Sequence, residues 1–432
     1  MQIAGKTASE IFDSIRSLTQ SGQLQPGQAL PPVRDLAATL DVNRNTVASA
    51  YKRLVTSGIA LSLGRLGTLV RQHAGPGEQE GTTPDSRLTD VADGNPNPAW
   101  LPDLSATFAR SDYRPRLYGE PTVDARLAAY ARQWCGIDCP SPFDVELAGG
   151  AVDAIERLLA AHLVAGDRVA VEDPCFLSSI NTLRLNGMQA VGIPVDEQGM
   201  QAEGLNDALA AGAQAVILTP RAHNPTGCNL SAERAEAIRN VLHRHPHVLT
   251  IVDDHFALLC KAAYHSPIAA STHRWALVRS VSKVLGPDLR FAFVACDPQT
   301  ASLLRLRMAS GTTWVSHVLQ DIVRLCLTDA SWTPLIAKAR EDYAHRRRQL
   351  VSALARHGIG SLASADGLNL WVPLDQDEQA AVFALAKRGW LVRAGSAFRV
   401  QESGRGLRIT IAQLDDEQAL RLAADIRHSI KP

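Results

Sequence analysis

The sequence predicts an α/β protein in three parts: a small N-terminal domain of helices and one hairpin, a large domain on a mainly parallel sheet, and a smaller C-terminal α+β domain. Two observations carry that expectation. Helical spacing and one hairpin pattern fill about the first seventy residues, and after a polar Gly/Pro-rich stretch, strand-like apolar runs alternate with helical ones.

The elements follow in order. TASE, residues 7–10, is a capping box that starts a helix, with Ala8, Ile11, Phe12, Ile15 and Leu18 at helical spacing and Gly22 as its stop. A second short helix is predicted over 33–40, with Leu36, Ala37 and Leu40 inward. In DVNRNTVASAYKRLVTSG, Val47, Tyr51, Leu54 and Val55 form a buried stripe, leaving Arg44, Asn45, Thr46, Ser49, Lys52 and Arg53 outward. IALSLGRLGTLVR alternates about a Gly64 to Gly67 turn, as a hairpin does. Three helices and a hairpin make a winged helix-turn-helix, assigned to residues 1–71.

Residues 72–90 read as a linker. Beyond it, VAVED, AVGIPV, AVILTP, VLTIVDD, WALVRSVS and RFAFVACD alternate with AVDAIERLLAAHL and SAERAEAIRNVLHRH, the rhythm of an α/β domain. Residues 91–432 form this second part, whose smaller α+β end begins near Tyr343.

The whole chain carries no net charge, yet residues 1–73 hold eight basic side chains against four acidic ones, as phosphate binding requires. Seven scattered cysteines show no metal spacing and read as reduced thiols. No secretory leader or membrane span is expected, so the cytoplasm is the expected location, without metal. A recognition helix needs short polar side chains at its start and cations nearby. NRNTV supplies both: Arg44, Asn45 and Thr46 are candidates for base or adjacent phosphate contact, and Lys52, Arg53 and the wing-tip Arg65 for the DNA backbone, with Arg34 added to the DNA-binding set. LPPVRDLAATLDVNRNTVASAYKRLVTSG resembles the most specific stretch of the GntR regulators, a resemblance that covers residues 3–71.

RSVSKVLGPDLRF, residues 279–291, poses a separate problem. A lysine serves as a Schiff-base nucleophile only where its pKa is depressed and an aldehyde is presented, and pyridoxal 5′-phosphate (PLP) is the commonest such aldehyde. That cofactor needs phosphate anchors, an acid for its pyridine nitrogen, a donor for its ring oxygen and a lid for its ring. Gly149, Gly150 and Ala151 start a helix where amides attract phosphate, and Ser280 and Arg290 add a hydroxyl and a cation. Phe176 in VEDPCF offers ring stacking and Asn224 in PRAHNPTG a ring-oxygen donor. Asp253 or Asp254 in TIVDDHF supplies the acid, and Arg408 in LRITIA can take a carboxylate.

This ordered set resembles the fold type I aminotransferases over residues 90–432. The resemblance implies Lys283 as the Schiff-base lysine, Asn224 and Asp253 as ring partners, Ser280 and Arg290 as phosphate ligands and Arg408 as the substrate-carboxylate arginine. Tyr118 in LYGEP is similar to the family tyrosine that reaches a phosphate across a dimer interface, which implies a homodimer. His255 and Phe256 stand where that family has a tyrosine to hydrogen bond the ring oxygen. Phe256 cannot donate, so His255 is the substitute, and efficient transamination is not expected.

A winged helix-turn-helix joined to an aminotransferase-like domain resembles the MocR regulators over essentially the whole chain. HFALL, SVSKVLGPDLR and TPRAHNPTGC fit the type within that family that controls pyridoxal salvage, including the pyridoxal kinase gene. The resemblance implies a homodimeric regulator that binds double-stranded DNA, with PLP or a related vitamer or amine as effector. A working aminotransferase carrying an autoregulatory DNA-binding domain is the alternative.

Overall fold

The computed structural model describes residues 3–57, 59–62, 67–70, 77–82, 86–360, 365–401 and 404–430. Arg65, the expected wing-tip contact, lies outside them. The chain divides into two compact units, residues 1–77 and 78–432.

The first unit packs α1 (Ala8–Gln20), α2 (Val33–Leu40) and α3 (Arg44–Thr56). The capping box forms in full: Thr7 Oγ1 accepts from the Glu10 amide at 3.2 Å, and Glu10 Oε2 accepts from the Thr7 amide at 3.3 Å. Two orphan helix donors are thereby satisfied. Asn43 caps α3, its Oδ1 accepting from the Asn45 amide at 2.8 Å. Ile11, Ile15, Leu36, Val47 and Leu54 are buried together, each contributing roughly 1.5–3 kcal/mol. Tyr51 sends its hydroxyl to the Pro31 carbonyl at 2.7 Å, tying α3 to the approach to α2. The hairpin strands β1 (Ala60–Ser62) and β2 (Thr68–Val70) pair antiparallel, Ala60 opposite Val70.

The second unit is built on an eight-stranded sheet. Its middle runs, in spatial order, Trp275–Ser280, Leu249–Asp253, Ala213–Leu218, Arg168–Asp173 and Gln189–Asp196, all parallel. Ala292–Cys296 lies antiparallel between Trp275–Ser280 and Asp144–Ala148. Helices cover both faces of such a sheet, which is why its strands read as continuous apolar runs. A smaller antiparallel sheet joins Asn369–Pro373, Gly406–Thr410 and Arg393–Ala394. The helix Trp332–Arg356 runs unbroken through Tyr343, so the smaller domain emerges from within a helix and no sequence break marks its start.

The linker was expected to reach residue 90. Thr89 and Asp90 instead pair in parallel with Trp390 and Leu391, and residues 78–82 hydrogen bond within the second unit. Apart from Asp90, which meets Thr82, their partners lie far along the chain, where composition gives no hint of them.

Candidate functional site

The predicted residues converge at the carboxyl ends of the sheet strands, where α/β folds place ligands. Asp253 closes one strand and Ser280 its neighbour, after which the short helix Ser282–Leu285 presents Lys283. Phe176 is the N-cap of the helix Leu177–Leu185, and Gly150 that of Ala151–His162. Ala151, Phe176, Asn224, Asp253, His255, Ser280, Lys283 and Arg290 all line one cavity of about 260 Å³. A larger cleft, about 780 Å³, lies against Asp173 and Trp371 and includes none of the residues singled out from sequence.

Lys283 Nζ donates to the Gly94 carbonyl at 2.7 Å. Burial pushes its pKa below the ordinary lysine value, Glu80 opposes that and Arg408 adds to it. Across the cavity Asp253 Oδ1 is buried without a hydrogen-bond partner. Burial, then Asp254 and Glu172, raise the Asp253 carboxyl to about 7.

Its neighbour is placed oppositely. Asp254 accepts from Arg221 Nε at 3.0 Å, Arg221 Nη2 at 2.6 Å and Arg279 Nε at 3.0 Å. Arg279 also donates to Asp138 at 2.5 Å and to the Trp134 carbonyl at 2.8 Å. Successive strand residues face opposite sides, which sends one carboxylate to the cavity and the other into this ionic cluster.

His255 lies in the cavity wall, while Phe256 is buried in the core with its ring 6.4 Å from that of Tyr343. Burial, followed by repulsion from Lys283, lowers His255 to about 4, so its imidazole is neutral and offers one N–H.

At the opposite end, a Cβ built on Gly150 would come 2.7 Å from Arg290 Nη2, and the glycine's φ of +99° belongs to a region L side chains rarely adopt. Gly150 therefore lets the guanidinium close over the helix start, where the first amides have no intrahelical acceptor. Ser280 Oγ sits 3.0 Å from Ser282 Oγ. Gly149 departs from expectation: its amide donates to Asp153 Oδ2 at 2.8 Å. The negative carboxylate there occupies the donor that a phosphate would need.

Arg408 is fully buried and reaches the cavity through Asn224, whose Oδ1 accepts from Nη1 at 3.1 Å. Its Nη1 also donates to Glu80 Oε1 at 2.5 Å, and Asn224 Nδ2 donates to the same oxygen at 2.8 Å. Glu80 is the functional-site residue that sequence reasoning missed. A glutamate in a Gly-rich polar stretch carries no signal of burial. Tyr118 is not in the cavity of its own chain; it is 92% exposed and meets Trp314 edge-on with ring centroids 5.6 Å apart.

On the head, Arg34, Arg44, Asn45, Lys52 and Arg53 are exposed and Thr46 is half-buried. Arg53 also stacks over the Phe12 ring at 4.8 Å, which restrains its guanidinium while leaving it exposed.

Comparison with known proteins matches both units. Residues 103–426 fit the family "Aminotransferase class I and II", and residues 7–70 fit "Bacterial regulatory proteins, gntR family". The "Vitamin B6 salvage pathway transcriptional repressor PtsJ" of Salmonella typhimurium is 53% identical over 428 residues, covering 99% of each chain. The chain belongs to the MocR-type regulators. A more distant relative, the "Probable rhizopine catabolism regulatory protein MocR" of Rhizobium meliloti, is 24% identical over 85% of this chain and 79% of its own. The Pyrococcus horikoshii kynurenine aminotransferase shares the fold of this MocR-type chain, with a TM-score of 0.71 at 21% identity, over 81% of this chain and 93% of its own. Among the described residues no helix is long and apolar enough to cross a membrane, and no group of metal-ligating side chains is assembled.

The cofactor of this fold is PLP, and the cavity fits it. Asp253 Oδ1, unpartnered among the described residues, the half-buried Lys283 and the glycine cradle beside Arg290 each meet one of its chemical demands.

Proposed function

We propose that this chain represses genes of vitamin B6 salvage, the pyridoxal kinase gene among them, as a cytoplasmic homodimer whose operator affinity responds to PLP or a related vitamer or amine. The observation that carries this reading is the pairing, in one cavity, of a half-buried lysine with a buried carboxylate oxygen, Asp253 Oδ1, that has no hydrogen-bond partner among the described residues.

Bound PLP supplies an aldehyde, a phosphate and a pyridine nitrogen. Lys283, its pKa depressed by burial, is the amine that attaches to the aldehyde. Asp253 holds the proton of the pyridine nitrogen; Asp254 is committed to Arg221 and Arg279 and is not available for that role. Ser280, Arg290 and the amides of Gly150 and Ala151 bind the phosphate, and Gly149 adds shape without its amide. The neutral His255 N–H and the second hydrogen of Asn224 Nδ2 serve the ring oxygen, and Phe176 covers the ring. Tyr118, exposed in one chain, completes the phosphate site of a second copy. Arg44, Asn45 and Thr46 read base edges, and Arg34, Lys52, Arg53 and Arg65 hold phosphates.

Cofactor and DNA bias each other by one coupling free energy, typically about 1–3 kcal/mol, or roughly 5- to 150-fold in operator affinity. Operator titrations with and without PLP, on wild type and Lys283→Ala, test this. A shift in the wild type that Lys283→Ala abolishes is expected; unchanged DNA affinity and dimer geometry in the wild type overturn the proposal. An aminotransferase running many cycles per second with an amino donor and a keto acid would overturn its purely regulatory part.

A further inference from the structure

The cavity's carboxylate-binding end is already filled, and by the chain itself. Arg408 is a fully buried guanidinium, and such a cation needs an anion. Its anion is Glu80, with Oε1 held at once by Arg408 and Asn224. Burial disfavours the Glu80 carboxylate, but Arg408, with Lys283 beyond it, more than offsets this and holds its pKa below the usual value.

The backbone around Glu80 is fastened on both sides. Asn181 Nδ2 donates to the Glu78 carbonyl at 2.6 Å, and Arg393 spans the segment, meeting the Glu78 carboxylate and the Gly81 carbonyl at 2.9 Å each. The Gly81 amide donates to the Asp93 carbonyl at 2.8 Å. Gly94 leaves room for the carboxylate: a Cβ there would fall 2.4 Å from Glu80 Oε2. The same glycine's carbonyl receives Lys283, so Glu80 and the lysine press on one residue.

We infer that Glu80 is a specificity-determining residue: its carboxylate occupies, in cis, the Arg408 subsite that an amino or keto acid would need, so the cavity admits B6 vitamers and turns carboxylate ligands away. The inference rests on the reading that PLP attaches at Lys283. Its physical basis is competition. A short tether holds a group at an effective concentration in the millimolar range, and the contacts of Glu78 and Gly81 restrict the segment further. An entering carboxylate would also bring a second negative charge beside Glu80, with no second guanidinium bonded to that carboxylate among the described residues.

The test is calorimetric titration of the PLP-loaded, full-length protein with maleate, a dicarboxylate with no amine to react. Wild type is expected to bind maleate at least tenfold more weakly than Glu80→Ala, and Glu80→Ala/Arg408→Leu is expected to lose the gained affinity. Glu80→Gln, which keeps the side chain's shape without its charge, should fall between wild type and Glu80→Ala, and supplies the same comparison should Glu80→Ala not fold. Retention of a visible cofactor band in Glu80→Ala reports that PLP is still held at Lys283. Equal maleate affinity with and without Glu80, or a gain that survives loss of Arg408, overturns the inference alone. A chain that takes up no PLP overturns the underlying reading instead.

Discussion

The two ends of the cavity differ in how far the protein has completed them. At the ring and phosphate end, Asp253 is left without a partner and Gly150 yields space to Arg290. At the other end, the Arg408 guanidinium already meets the Glu80 carboxylate, Asn224 and the Ala92 carbonyl, with its Nε and Glu80 Oε2 left without partners among the described residues. Buried charges are costly when uncompensated, so the open end lacks a counter-group for Asp253, whereas at the closed end the guanidinium charge is already matched by a carboxylate of the chain. A cavity built this way distinguishes cofactor from substrate by which of its own charges it has neutralised.

Four experiments can break or sharpen that contrast. The largest effect belongs to Lys283→Ala: complete loss of covalently held PLP, read as disappearance of the visible absorbance band. Next come the adjacent aspartates, which should separate cleanly. Asp254→Ala leaves Arg221 without its carboxylate and Arg279 with Asp138 alone, and its unfolding free energy should drop by about 3–5 kcal/mol in a denaturant titration. Asp253→Ala should instead keep most of the fold and weaken PLP binding about 10- to 100-fold, since it removes a charge-assisted hydrogen bond worth about 1.5–3 kcal/mol. If both variants lose stability alike, the division of labour between the two carboxylates is wrong.

The third effect is on pH dependence. Asp253 in the folded chain titrates at about 7 against an ordinary 3.8, so between those values this carboxyl holds more proton in the cofactor-free folded state than in the unfolded one. Its own contribution to stability therefore falls as pH rises through that window, while His255, lowered to about 4, contributes with the opposite sign below its ordinary 6.5. Thermal melts of the cofactor-free protein should show Asp253→Asn gaining stability relative to wild type as pH rises from about 4 to 7. The smallest change is expected at the head. Asn45→Ala should cost about 1–3 kcal/mol of discrimination at one base pair, and Lys52→Ala should weaken all sequences alike while lowering the salt slope by about one.

Legibility from sequence followed distance along the chain. The head was readable because its signals are local: Thr7 with Glu10, and apolar residues three and four apart. Asp253 was readable at the end of its apolar strand, and Lys283, Asn224 and Arg290 in the segments that follow or precede such strands. Choosing between Asp253 and Asp254 needed the structure, since only three-dimensional placement brings Arg221 and Arg279 onto the second carboxylate. Gly149 misled because a helix-start glycine offers its amide to any acceptor, and Asp153, four residues on, takes it first. Glu80 was illegible in kind: its partners Asn224 and Arg408 sit more than one hundred residues away, and its surroundings have the composition of a solvated tether.

A carboxylate carried on the same chain is present once per site, whatever the cell is eating. Were Arg408 open, amino and keto acids would compete for it, and the regulator's output would drift with nitrogen and carbon supply. With Glu80 seated there, that source of noise is removed before any ligand arrives, and the signal that remains comes from ligands that need no carboxylate.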